Sequence, residues 1–127
     1  MHKREQKKIL AVVDDLLFTV KISDAAKRAG LQVDFVKSER DVIDKAREEK
    51  PLLVIIDLNN SSVEPLRLIS KFKADAALKP ISLIGYLSHV QGELKQQAQE
   101  AGANIVMARS AFSQNLQQIL KRHAGVV

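Results

Sequence analysis

Cysteine is absent from this chain of 127 residues. Disulfides, a thiolate metal site and a thiol nucleophile are therefore all excluded. Aromatic residues are scarce: Phe18, Phe35, Phe72, Phe112 and Tyr86 are the whole set. A protein that stacks nucleic-acid bases interleaves aromatics with cations, and the one basic cluster here contains none, so nucleic acid is a disfavoured partner. Histidine occurs three times, at positions 2, 89 and 123, too scattered for a repeated zinc-ligand spacing. The five glycines (30, 85, 92, 102, 125) are spread apart, and no glycine-rich phosphate loop follows the first apolar run. Flavin and dinucleotide binding are disfavoured accordingly. No apolar run reaches the roughly 18 residues of a membrane span, and no signal-peptide pattern opens the chain. The expectation is a soluble, cytoplasmic protein.

What is present suffices for one domain with a real core: 46% of residues are hydrophobic and 28% charged. The net charge of +5 is uneven. Residues 1–8, "MHKREQKK", set Lys3, Arg4, Lys7 and Lys8 against Glu5. They read as a basic, solvated N-terminal extension, with an electrostatic tether to nucleic acid or an acidic partner as the alternative. A single domain would then occupy residues 9–127.

Along that domain an apolar run is followed five times by a helical pattern. The expected strands are 9–13 (ILAVV), 31–36 (LQVDFV), 52–56 (LLVII), 81–85 (ISLIG) and 103–108 (ANIVMA). Helices are expected over about 16–29, stopped by Gly30; from Ser38 as cap to Pro51; from Pro65 behind a Ser61 or Ser62 cap; over 91–101; and from a Ser113 cap to Gly125. Asp34 marks the second strand as an exposed edge. Strict βα alternation specifies an α/β, doubly wound, five-stranded parallel sheet with helices on both faces. The flavodoxin-like strand order 2-1-3-4-5 suits the length.

Ligands in such folds bind beyond the carboxyl ends of the strands, where strands 1 and 3 part. Strand 1 runs into Asp14 and Asp15. Strand 3, in "LLVIIDLNN", runs into Asp57. Three converging carboxylates repel one another, and a hard divalent cation such as Mg²⁺ relieves that repulsion. Each aspartate alone also fits a helix cap, but one suffices for a cap, so the adjacent pair asks for more.

The motifs "AVVDD", "LLVIIDL" and "EAGANIVMARSAF" resemble the response-regulator receiver family over nearly all of residues 9–124. By that resemblance Asp57 is the phosphoacceptor for a histidine kinase or another signalling protein. Asp14, Asp15 and Asp57 bind Mg²⁺ with the backbone carbonyl of Asn59. Three departures from the family pattern stand out. Arg109 replaces its lysine and Ser110 its proline. Gly85 aligns with the hydroxyl residue that contacts the phosphoryl group, leaving Ser88 as the nearest substitute. Val106 aligns with its switch aromatic. Arg109 keeps the charge but carries a bidentate fork, so it is expected to pair with Asp57 and Asp14 without a phosphate; a plain surface arginine is the alternative. His89, after strand 4, reaches the carboxylates or is an ordinary loop residue beside a Ser88 cap. The stretches "KQQAQE" and "QNLQQ" read as solvated helix faces, and by resemblance as partner-contact candidates.

Two functions follow: a stand-alone Mg²⁺-dependent phosphorylation switch, or a pseudo-receiver that engages partners without phosphorylation, Arg109 neutralising the acidic pocket. A metal-dependent phosphatase using Asp14 fits least, because strand 1 lacks an Asp-x-Asp arrangement and no second general acid appears. The chain is therefore not expected to be an enzyme.

Overall fold

The computed structural model describes residues 7–88 and 92–124. Five strands and five helices alternate: β1 Lys8–Val12, α1 Leu16–Arg28, β2 Gln32–Phe35, α2 Glu39–Glu49, β3 Leu53–Asp57, α3 Pro65–Ala74, β4 Ser82–Leu87, α4 Gly92–Ala101, β5 Ile105–Ala108 and α5 Arg109–Ala124. The strands form one parallel sheet in the order β2-β1-β3-β4-β5. The period-2 geometry of a strand sends alternate side chains to opposite faces. One face (Ile9, Ala11, Leu53, Ile55, Ile84 and Tyr86) packs with Phe18, Ile22, Phe112 and Leu120 of α1 and α5. The other (Leu10, Val12, Val54, Ile56 and Leu83) packs with Val42, Leu68, Phe72 and Ala98 of α2, α3 and α4. β3 is central and buried throughout, whereas β2 is the partly exposed edge that Asp34 signals.

Helix ends follow local chemistry. Ser38 accepts the Asp41 N–H at the start of α2. Gly30, at φ 74°, closes α1, with its N–H on the Lys27 carbonyl and the Leu31 N–H on that of Ala26. Two expected caps are not used. α3 begins at Pro65 behind Glu64 with no side-chain cap, because Ser62 turns to Asn60 and Asp14. α5 begins at Arg109, directly after β5. Ser113 lies inside that helix and accepts from Lys21 Nζ.

β4 also differs from expectation, running to Leu87 and not stopping at Gly85. Tyr86 and Leu87 are both buried, one toward each face, so the strand gains by continuing. Lys7 and Lys8, read above as the end of an extension, are taken into the fold. Lys7 Nζ donates to the Ala124 carbonyl at 2.8 Å, and Lys8 opens β1 between Asp34 and Glu49. Residues 1–6, Gln91 and Gly125 lie outside the described residues.

Candidate functional site

The pairing of β1 with β3 sets Val12 beside Ile56. Asp57, the last residue of β3, therefore lies next to the turn that carries Asp14 and Asp15. Its strand partner on the other side is Tyr86. Asp57 is only 5% exposed, and its Oδ1 accepts the Asn59 N–H at 2.9 Å. Burial raises its pKa above the ordinary carboxylate value. The Asn59 N–H and the charge of Arg109 oppose that shift, while the charges of Asp15 and Asp14 add to it.

The carboxylates of the turn are engaged differently. Asp15 caps α1, its Oδ1 accepting the Leu17 N–H at 2.9 Å. Its Oδ2 accepts from Arg109 Nη2 at 3.0 Å. Asp14 is exposed and meets Ser62 Oγ at 3.4 Å. The arginine expected to pair with Asp57 and Asp14 thus forms its ion pair with Asp15. Geometry explains the choice. Arg109 heads α5, which packs beside α1, and its guanidinium lies over the Phe18 ring at 4.9 Å and near the Tyr86 ring at 6.0 Å. That stacking holds the fork at the start of α1, where Asp15 sits.

Beneath it, Phe18, Tyr86 and Phe112 stack, with centroids 4.9 Å apart for Phe18–Tyr86 and 4.8 Å for Tyr86–Phe112. Tyr86 is wholly buried, and burial, then the Asp57 charge, push its phenol far above the usual range. Neither Tyr86 Oη nor Arg109 Nε has a hydrogen-bond partner among the described residues. An aromatic body thus occupies the strand position next to Asp57, and a fixed guanidinium stands above it.

Gly85, aligned above with a phosphoryl-contacting hydroxyl, is mid-strand and faces away from Asp57. A Cβ there would meet Leu58 Cδ1 at 3.0 Å. Ser88 is the first residue after β4, and its N–H donates to Asn59 Oδ1 at 2.7 Å. Val106 is buried in the face covered by α3 and α4. His89 lies outside the described residues. Two residues escaped the sequence reading. Asn60 is buried and ties the β3 end to β1, its Nδ2 on the Val12 carbonyl at 3.3 Å. Tyr86 fell just outside the expected strand 81–85 and was given no role. Its signal was available in "ISLIGYL", which stays apolar on both sides of the glycine.

The donor set does not fit a resident divalent cation. Among the described residues no three acidic or histidine side chains are grouped to hold one. Asp15 has both oxygens engaged, one of them by a cation, and Asp57 has one on a backbone N–H. The expected cluster of Asp14, Asp15 and Asp57 is instead divided between a cap, an ion pair and a turn.

The chain has the receiver-domain fold of response regulators. A CheY-like response regulator receiver domain protein from Methanospirillum hungatei JF-1 superposes with a TM-score of 0.78 at 20% identity, over 95% of this chain and 95% of that one. Chemotaxis response regulator CheY4 of Vibrio cholerae gives 0.79 at 20% identity, over 94% and 99%. The Mn(2+)-bound form of response regulator Rcp1 gives 0.74 at 16% identity, over 91% and 90%. At such identities the shared property is the fold. No protein-family model and no curated protein matches the chain. Among the described residues no helix is long and apolar enough to cross a membrane.

Proposed function

We propose that the chain is a signalling module of the receiver fold that engages a protein partner without being phosphorylated. The observation that carries this reading is the Arg109–Asp15 ion pair at 3.0 Å, held by Phe18 below it. Phosphoryl transfer to a carboxylate needs an ionised nucleophile and mobile positive charge to meet the incoming group. Burial raises the pKa of Asp57, Arg109 is paired with Asp15, and Tyr86 fills the neighbouring strand position. One carboxylate of the pocket, Asp15, is thereby already countered by the chain's own cation.

The rival reading, Asp57 as an Mg²⁺-dependent phosphoacceptor for a histidine kinase, is supported by the position of Asp57 at the β3 end beside the Asp14–Asp15 turn. Intact-mass spectrometry after incubation with Mg²⁺ and acetyl phosphate separates the two. No mass gain is the expected result. A gain of one phosphoryl group that disappears in Asp57→Asn would overturn the proposal.

A further inference from the structure

β2 is an edge strand. It pairs with β1 on one side and with no other strand among the described residues. Its Gln32 N–H donates to the Lys7 carbonyl, and the Val36 N–H just beyond it donates to that of Ala11. Backbone groups of successive strand residues point to opposite sides. The N–H and C=O groups of Val33 and Phe35 therefore point outward, and they have no backbone partner among the described residues. Proteins blunt such an edge with proline, a bulge or an inward charge. β2 contains no proline, pairs with β1 in unbroken register, and its one charge, Asp34, is countered by Lys8 and Lys45. The edge stays open to an added strand.

Two clefts flank it and meet at Phe35. The one on the α1 side, about 290 Å³, is lined by Thr19, Val20, Ser23 and Phe35, with Asp24 and Lys27 of opposite charge. The one on the α2 side, about 370 Å³, is lined by Phe35, Lys37, Asp41, Asp44, Lys45 and Glu48 among others. Asp41, Asp44 and Glu48 are exposed, and their spacings of three and four residues put them on one face of α2. The ion pairs of α2 are made by Glu39, Lys45, Arg47 and Glu49. Asp41, Asp44 and Glu48 form none among the described residues. Lys45 is spent on Asp34 and Glu49, so only Lys37 in this cleft stands against the three free carboxylates. On a chain of net charge +5 this stripe is a local exception.

We infer that the β2 edge takes up an extended, basic segment of a protein partner as a sixth strand. Its backbone bonds Val33 and Phe35. Its side chains alternate between the clefts: lysine or arginine faces Asp41, Asp44 and Glu48, and small or apolar residues lie over Val20 and Phe35. Alternate residues of a strand are about 6.7 Å apart, and Asp41 to Glu48 spans about 10 Å of helix, so two basic residues at i and i+2 fit along the stripe. Charge selects the occupant. A second copy pairing through the same edge would set the two acidic stripes against each other, and an acidic segment would meet the same repulsion. The inference gives the reading above, binding without phosphorylation, its partner class and rests on it. The mass-gain assay tests that reading, and substitutions at the edge test this one.

The test is selection of a display library of random ten-residue linear peptides on the immobilised, unphosphorylated full chain. Enriched peptides are expected to carry Lys or Arg at alternate positions with Val, Thr or another small residue between them. In the complex, amide exchange at Val33 and Phe35 is expected to slow about tenfold or more, while Gln32 and Val36, already bonded within the fold, change little. Affinity is expected to fall about tenfold or more in Asp44→Lys/Glu48→Lys, which alters exposed charges alone, and in Val33→Pro, which removes an outward N–H. Matching thermal melts identify the variants as folded. Enrichment of acidic peptides, no enrichment, unchanged exchange at Val33 and Phe35, or binding insensitive to both substitutions overturns the inference. So does sedimentation showing that the chain dimerises through this edge and that Val33→Pro releases the monomer. Tighter peptide binding in Lys3→Glu/Arg4→Glu also overturns it, by assigning the edge to the chain's own basic segment.

Discussion

Asp57 holds an almost inaccessible carboxylate with one backbone N–H on it and a cation whose direct partner is Asp15. Its folded-state pKa is raised, burial being the largest cause. A raised pKa means that the folded chain binds the proton more tightly than the unfolded chain. The cost of the buried charge is therefore absent below the ordinary carboxylate value, near 3.8. It grows as pH rises toward the folded value and is complete above it. Asp57→Asn keeps an oxygen for the Asn59 N–H and removes the charge. It is expected to melt at a higher temperature than the parent at pH 7, with the difference shrinking as pH falls and vanishing below the ordinary value. Thermal melts of both proteins across pH check this. A variant less stable at pH 7 would show Asp57 to be favourably ionised, as an acceptor needs. The position of Asp57 was legible in the sequence because an apolar run ends on it. That Arg109 makes its ion pair with Asp15 and not with Asp57 was not, because reach depends on where the Phe18 ring holds the guanidinium.

Helix and strand ends obey local rules where the local group has no competing partner. Ser38 accepts the Asp41 N–H, and no other partner among the described residues draws its hydroxyl away. Ser38→Ala is expected to cost about 1 kcal/mol. The cost would appear as a lower urea midpoint with an unchanged slope, and Ser38→Asp should restore most of it. Ser62 and Ser113 show the opposite case. Both are good caps by type, but one serves the turn beside Asp14 and the other sits within α5 beneath Lys21. β4 passes Gly85 because the burial of Tyr86 and Leu87 outweighs the strand-breaking tendency of one glycine. Tertiary packing overrode propensity at each of these ends.

The molecule as a whole is a sheet with two cores and a charged seam at its β2 edge. Lys8 on β1 pairs with Asp34 of β2 at 2.9 Å and with Glu49 of α2, while Lys45 meets both acids. Burial raises the Asp34 carboxyl, but hydrogen bonds from Lys8 and Lys45 more than reverse this and leave it lowered. Glu49 is lowered chiefly by Lys8. Groups with depressed pKa values stabilise the fold above their ordinary values and lose that contribution as pH falls through the folded ones. Lys8→Met keeps the apolar stem and removes the charge. It is expected to cost about 0.5–1 kcal/mol at low salt. The loss should shrink in 1 M salt, where screening acts over about 3 Å, and disappear as both acids become protonated. Denaturant titrations at two salt concentrations and two pH values measure it.

At this scale the fold was the most legible property of the chain. Five apolar runs alternating with helical patterns force a parallel sheet with two covered faces, because each element must bury one side and short connections allow few orders. The sequence by itself determined that architecture and brought Asp57 beside Asp14 and Asp15. Only the tertiary structure decided what the three acids do there. Which carboxylate an arginine 94 residues away reaches depends on how α1 packs beside α5 and on the rings stacked between them. Those are long-range contacts that no local pattern encodes.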